Sequence, residues 1–383
     1  MPDAIKVGLA LVAAVLIALG VFFLSFAVTG VLWVNAGVAV AAFAACAWFW
    51  MRRAVVALAA TVLFAVVLAS PTLVEALRAG PAAASAEVVA GISREAIPLA
   101  GVDAGSGFAD LNPLGGIWQG VRVVALGEAT YGTSEFFRMK HRLTEFLVTQ
   151  MAFRHFAMEM EDRVAAPIEQ YIQGGGSRNP VAALSWPWGT TEFTALVDWM
   201  RMYNASAVAS NRVHFHGIDY LGERRDFHMA QNTLRMLDES GAESRVILWA
   251  HNRHVSNEPG WMGWYLKNSL HSQIYLTGFE FARGSFTSNL NWVHTYDAEP
   301  AGRGYYAEAM ERTGKPVMFL DFRSMERDLE VAAWLQQPRY SHELQDMYGV
   351  LRLVPSWVRA REPWPSLFDG VVYVERSTPA RLM

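Results

Sequence analysis

VRVVALGEATYGTSEFFRMKHRLTEFLVTQM, residues 121–151, is the stretch on which the fold turns. Val121–Leu126 is a short, β-rich apolar run that stops at Gly127-Glu128. From Ser134 to Met151 apolar residues recur at helical spacing. A strand that passes through a short polar turn into a long helix is the first part of a parallel crossover unit. The same alternation continues along the chain. Further strands are expected at Arg154–Met158, Val213–Gly217, Val246–Trp249, Ile274–Gly278, Val317–Leu320 and Val371–Val374. Helices are expected at Arg163–Gln173, Glu192–Tyr203, Asp226–Ser240 and Tyr305–Arg312. The fold class that follows is α/β: a mostly parallel central sheet covered by helices on both faces. No short-period repeat is present, which excludes a solenoid.

Upstream of this domain the composition changes. Of the 383 residues 52% are hydrophobic, and they are unevenly distributed. Three apolar stretches, Val7–Val28, Val31–Met51 and Ala54–Val74, follow one another. Each is about the ~20 residues that cross a hydrocarbon core as a helix. A cleaved signal peptide would have one shorter apolar core. Lys6 precedes the first stretch, Arg52 and Arg53 separate the second and third, and the Thr29–Gly30 turn carries no charge. Basic residues stay on the cytoplasmic side. The reading is a multi-pass cell-membrane protein with a cytoplasmic N-terminus and an extracytoplasmic large domain. Ala79–Gly91, rich in Ala, Gly and Ser, reads as a spacer. The expected organisation is therefore a three-helix anchor over residues 1–78, a linker over 79–91 and the α/β domain over 92–383.

A net charge of -4 without a long run of one sign argues against a nucleic-acid surface. The single cysteine, Cys46, lies in the apolar segment, so no intrachain disulfide forms and no cysteine-rich metal site exists.

Several expected strands end in a chemically capable residue. The first runs into Glu128, the second ends at Glu159, the third at Asp219 and the fourth at His251, with His254 three residues on. In a parallel sheet these ends lie along the edge where open α/β folds place their ligands. A single Glu after a strand is more often a helix cap, and a single His more often a structural hydrogen-bonder. Several ionisable groups converging on one cleft are costly to bury unless paired or functional. Carboxylates beside imidazoles are the parts of a general acid–base site, suited to hydrolysis of an ester or transfer of a related group. Zinc held by His251, His254 and a carboxylate is the competing use, although the helical His-Glu-x-x-His arrangement is absent. There is no Gly-x-Ser-x-Gly elbow, no P-loop and no dinucleotide fingerprint after the first strand. Ser185–Glu192 leads into Val197–Arg201. Thr190 or Thr191 can cap the helix that follows. Trp186 and Trp188 are candidate walls of an apolar substrate pocket, or else core aromatics.

Taken together, Gly127–Phe136, Ala157-Met158-Glu159, Trp186–Glu192 with Trp199-Met200-Arg201, Gly217-Ile218-Asp219 and Trp249–Val255 resemble the erythromycin esterase family. The resemblance implies an α/β sheet domain with added helices and hydrolysis of ester bonds, with no cofactor or metal required. It implies that Glu128, Glu159, His251 and His254 are catalytic. Tyr131, Trp186, Trp188, Glu192, Arg201 and Asp219 would then bind substrate. This chain departs from the family pattern at Tyr131, where the family has the histidine proposed to activate water. A tyrosine, with an ordinary pKa of ~10, is a poor base near neutral pH. Either His251 serves as base, or the chemistry differs, or the site only binds. The expected function is a membrane-anchored esterase-like enzyme acting on a small-molecule, glycan or lipid ester of the envelope. The alternatives are a catalytically silent binding or assembly subunit and a metal-dependent hydrolase. No nucleic-acid partner is expected, and the oligomeric state is open.

Overall fold

Val123–Leu126 is buried on both faces, and its side chains alternate between two apolar layers. Val124 and Leu126 join Ile247 and Trp249 on one side, while Val123 and Ala125 join Val246 and Leu248 on the other. Full burial of both faces is why these strands read as nearly continuous apolar runs. Burial of each such side chain is worth roughly 1.5–3 kcal/mol.

The computed structural model describes residues 81–289, 293–342, 344, 359–360 and 362–383, with residues 15, 16, 18 and 19 near the N-terminus. Apart from those four residues, the three apolar stretches lie outside the described residues. Among the described residues, no helix is long and apolar enough to cross a membrane. Met1–Gly80 is one unit and Pro81–Met383 another, and the sheet belongs to the second.

The strands are β1 (Ile97–Pro98), β2 (Val123–Leu126), β3 (His155–Glu161), β4 (His214–Asp219), β5 (Val246–Trp249), β6 (Ile274–Asn289), β7 (Val293–Asp297), β8 (Val317–Asp321), β9 (Ser341–His342), β10 (Arg359–Ala360) and β11 (Gly370–Ser377). Among the described residues they form a nine-stranded sheet ordered β1-β8-β11-β6-β2-β5-β3-β4, with β7 paired to β6, and a separate β9–β10 pair. All seven expected strands are present. The sheet is mixed. β11, β6, β2, β5, β3 and β4 run parallel. β8 runs against β11, β1 against β8, and β7 returns antiparallel on β6. Alternation of strands and helices predicts the elements but does not give the direction of each strand.

Helices Ser134–Met151, Asp162–Ile172 and Thr191–Ser206 pack on one face, and Arg225–Ser240 and Met262–Leu270 on the other. From β2 the chain crosses to β3 on one side. From β5 it crosses back over β2 to β6. The carboxyl ends of β2, β5 and β3 therefore flank a point where connections diverge, the usual place for a cleft.

Within the stretch read as a spacer, Ala79–Gly91, the structure shows a helix from Ala86 onward. Ser85 caps a helix, Ala86–Glu95, by accepting the Val88 N–H at 3.1 Å. Arg339 and Arg312 donate to the Ala82 and Ala84 carbonyls, each at 2.7 Å. A Cβ at Gly91 would lie 2.4 Å from the Val331 side chain. Small residues, read as having little to bury, here let this helix approach Leu329–Leu335 closely.

Candidate active site

The loop after β2 is pinned at both ends by its glycines. A Cβ at Gly127 would lie 2.3 Å from Asn252 Oδ1, and one at Gly132 would lie 1.9 Å from the Thr287 carbonyl oxygen. Asn252 fills the space beside Gly127 and bonds to β6, accepting the Phe279 N–H at 3.0 Å and donating to the Phe279 carbonyl at 2.8 Å. Thr130 Oγ1 accepts the Gly132 N–H at 2.9 Å. Held this way, the loop directs Tyr131 at Glu159, and the Tyr131 hydroxyl donates to Glu159 Oε1 at 3.0 Å.

Glu159, 5% exposed, gathers the upper layer of the site. Its Oε1 also accepts from Arg225 Nη2 at 2.9 Å and faces His254 Nε2 at 3.2 Å. Its Oε2 accepts the backbone N–H of His251 at 2.9 Å. Burial opposes its charge, yet His254 and Arg225 hold it well below the usual carboxylate range. Asp219, at the end of β4, grips Arg225 through two bonds of 2.7 Å. Asp226 Oδ1 lies 2.7 Å from His254 Nδ1. Burial favours a neutral His254, but the Glu159 and Asp226 carboxylates raise its pKa to about 10. His254 is therefore an imidazolium near neutral pH. Its 3.2 Å contact with Arg225 Nη1 is a like-charge contact, offset by three carboxylates.

The lower layer is drier. Glu128 is fully buried. Its Oε2 accepts from Lys140 Nζ at 2.9 Å and from the Trp249 indole N–H at 3.1 Å, while Oε1 has no partner among the described residues. Lys140 lies 4.2 Å over the Trp249 ring. Burial drives the Glu128 carboxyl up to about 7, against the pull of Lys140. It drives Lys140 down to about 8, against the pull of Glu128. His251 closes β5 and caps the Asn252–Val255 helix. Its ring tilts against Tyr131, with centroids 4.9 Å apart, and bonds to the Ala129 backbone. Burial lowers its pKa to about 3, so it is a neutral imidazole at pH 7.

The cluster thus unites Glu128, Glu159, His251, His254, Tyr131 and Asp219 with Trp188, whose ring lies 6.1 Å from Tyr131 and from Trp249. Trp186 is half-buried in the preceding turn. Two expected binding residues do not bond to the cluster. Glu192 accepts from Ser134 Oγ at 2.7 Å and from the Arg381 N–H at 3.1 Å. Its helix N-terminus thus bonds to the segment around Arg381. Arg201 donates to the Tyr171 carbonyl and lies 4.4 Å over the Tyr171 ring, on the outer helices. Its length lets it satisfy a helix end and cover an aromatic face. Lys140, Arg225, Asp226 and Trp249 belong to the site without having been singled out. Lys140 had a signal. It follows Phe136 by four residues and Phe137 by three, on the apolar face of an amphipathic helix, where a lysine needs a buried partner.

The sequence model of the family described as Erythromycin esterase matches residues 148–224 and 220–377. The chain belongs to this family. The erythromycin esterase type II of Escherichia coli is 32% identical over 113 residues, 29% of this chain and 26% of that protein. The match therefore spans about a quarter of that relative. Among solved structures, a succinoglycan biosynthesis protein superposes with a TM-score of 0.67 at 20% identity, covering 78% of this chain and 98% of the other. An erythromycin esterase mutant in its open conformation gives 0.54 at 12% identity, covering 72% and 95%. At such identities these two likenesses establish the fold. Membership of the erythromycin esterase family supports an esterase-like hydrolase.

Proposed function

We propose that this erythromycin esterase family member is a membrane-anchored hydrolase of an ester carried by an envelope glycan, lipid or secreted metabolite. The observation that carries the reading is Glu128. It is a buried carboxyl with one oxygen unpartnered among the described residues and a pKa near 7, and it follows β2, the neighbour of β5, after which comes the neutral His251 imidazole. A group poised near the working pH both takes and returns a proton. In the reaction, water attacks the ester carbonyl and Glu128 takes its proton. His251 donates to the oxyanion. The C–O bond then breaks, and Glu128 returns the proton to the leaving oxygen. His254 and Arg225 remain charged throughout and supply a fixed positive field. Among the described residues, no group of three or more His, Cys, Asp or Glu side chains is arranged to hold a metal ion.

The test is hydrolysis of nitrophenyl esters, lactones and acylated sugars by the full chain in lipid. Glu128→Gln and His251→Ala are each expected to lower kcat/KM by about 10²–10⁴-fold. Full activity in either variant overturns the assignment. A second reading is favoured by Tyr131, whose hydroxyl is bonded to Glu159, at the position where the resemblance implies a histidine proposed to activate water. On that reading the chain is a binding subunit, and isothermal titration would show ligand uptake without turnover. Anchoring has its own check. A reporter fused after Ser85 is expected to be active outside the cytoplasm, and cytoplasmic activity would refute the orientation.

A further inference from the structure

The Glu128–Lys140 pair is asymmetric. Both donors, the Lys140 ammonium and the Trp249 indole, converge on Glu128 Oε2, and Oε1 of this fully buried residue has no partner among the described residues. A pair kept only for structure would satisfy both oxygens, since buried polar atoms in folded proteins almost always have partners. An apolar pair of similar volume would serve stability at least as well. Lys140 is itself 0% exposed, packed over Trp249 and Phe279. Its ammonium therefore has few alternatives to Glu128.

We propose that Lys140 is the positioning residue of this site: it fixes Glu128 by Oε2, sets its charge state, and leaves Oε1 as the oxygen that exchanges a proton with the reacting groups. The inference rests on the hydrolase reading for the identity of those groups. For the pair itself it rests only on geometry. The other ionisable groups that act on the pair are Glu159 on β3, which disfavours a charged Glu128 and favours a charged Lys140, and His251 at the end of β5. Lys140 is the cation that bonds directly to Glu128. Removing it raises the pH at which Glu128 ionises, because an adjacent opposite charge favours the charged form by about 1–3 pH units.

The experiment is an infrared titration of the full chain in lipid, following the protonated-carboxyl band lost in Glu128→Gln, which needs no substrate. In Lys140→Met the midpoint of that band is expected to rise by about 1–3 pH units. In Lys140→Arg, which keeps the charge, it is expected to return toward the native value. The acidic limb of kcat/KM for nitrophenyl acetate should move with it. An unchanged midpoint in folded Lys140→Met overturns the proposal. Should Lys140→Met fail to fold, the double variant with Glu128→Gln is read instead. Recovery of its thermal midpoint supports the coupling, and no recovery overturns it. A moving midpoint without hydrolysis of any ester leaves the role of Lys140 standing and removes the hydrolase reading.

Discussion

Glu159→Ala is expected to destabilise the Pro81–Met383 unit by about 3–5 kcal/mol, the usual cost of leaving buried charge without its partner. The substitution strips the acceptor from the Tyr131 hydroxyl, Arg225, His254 and the His251 N–H at once. Arg225 is 32% exposed, and solvent screens part of its loss, which favours the lower end of that range. In thermal unfolding this is a fall on the order of 10 °C. The pH dependence follows from the two partners. His254 titrates in the fold at about 10 against an ordinary 6.5. Its contribution is complete below about 6.5 and is lost as pH rises toward 10. Glu159 is held below its ordinary 4.5. Its contribution is present above that value and is lost as pH falls beneath it. The two limbs describe one interaction, so the native chain should be most stable between about 4.5 and 6.5. Glu159→Ala should flatten both limbs. A variant that unfolds within 2 °C of the native chain across that window would show that the network carries no such energy.

The second large effect is a gain. On the binding-subunit reading, Tyr131→His is expected to raise kcat/KM for simple esters by about 10²–10⁴-fold, the usual contribution of a positioned general base; with Glu128 already serving as base, little gain is expected. The tyrosine hydroxyl already meets Glu159, and the ring already lies against His251. An imidazole on the same backbone would therefore have a carboxylate in reach to orient it. Activity that appears only in Tyr131→His would mean a hydrolase scaffold turned to binding. A native enzyme that Tyr131→His fails to improve would place the proton transfer on Glu128.

Much of the fold could be read before any coordinates, because burial on two faces makes strands such as Val246–Trp249 continuous apolar runs with abrupt polar ends. Those ends also marked Glu128, Glu159, Asp219 and His251. Harder to read were residues whose roles depend on contacts distant in sequence. Arg225 follows Asp219 closely, but only the fold brings it to Glu159, 66 residues away. Glu192 looked like a binding residue because it begins a helix beside two tryptophans. In the fold it bonds to a chain segment 189 residues further on. The helix Ala86–Glu95 falls partly in the Ala-, Gly- and Ser-rich run read as a spacer, and its buried Val88 and Ile92 mark the face that packs.

That distant segment ties the site to the other end of the domain. Residues 378–383 bond back to the starts of two long helices: the Thr378 carbonyl accepts from the Ser134 N–H, the Ala380 N–H donates to the Gly132 carbonyl, and the Arg381 carbonyl accepts from the Thr191 N–H. Gly132 is the residue next to Tyr131. The last few residues thus work as a drawstring, closing a loop whose chemistry lies some 250 positions earlier. Trimming them would leave β11, which ends at Ser377, in place and remove the bonds that hold Gly132, Ser134 and Thr191. In a library screened for altered substrate range, the six positions from Thr378 to Met383 would then be places to tune loop stiffness without touching an ionisable residue of the cluster.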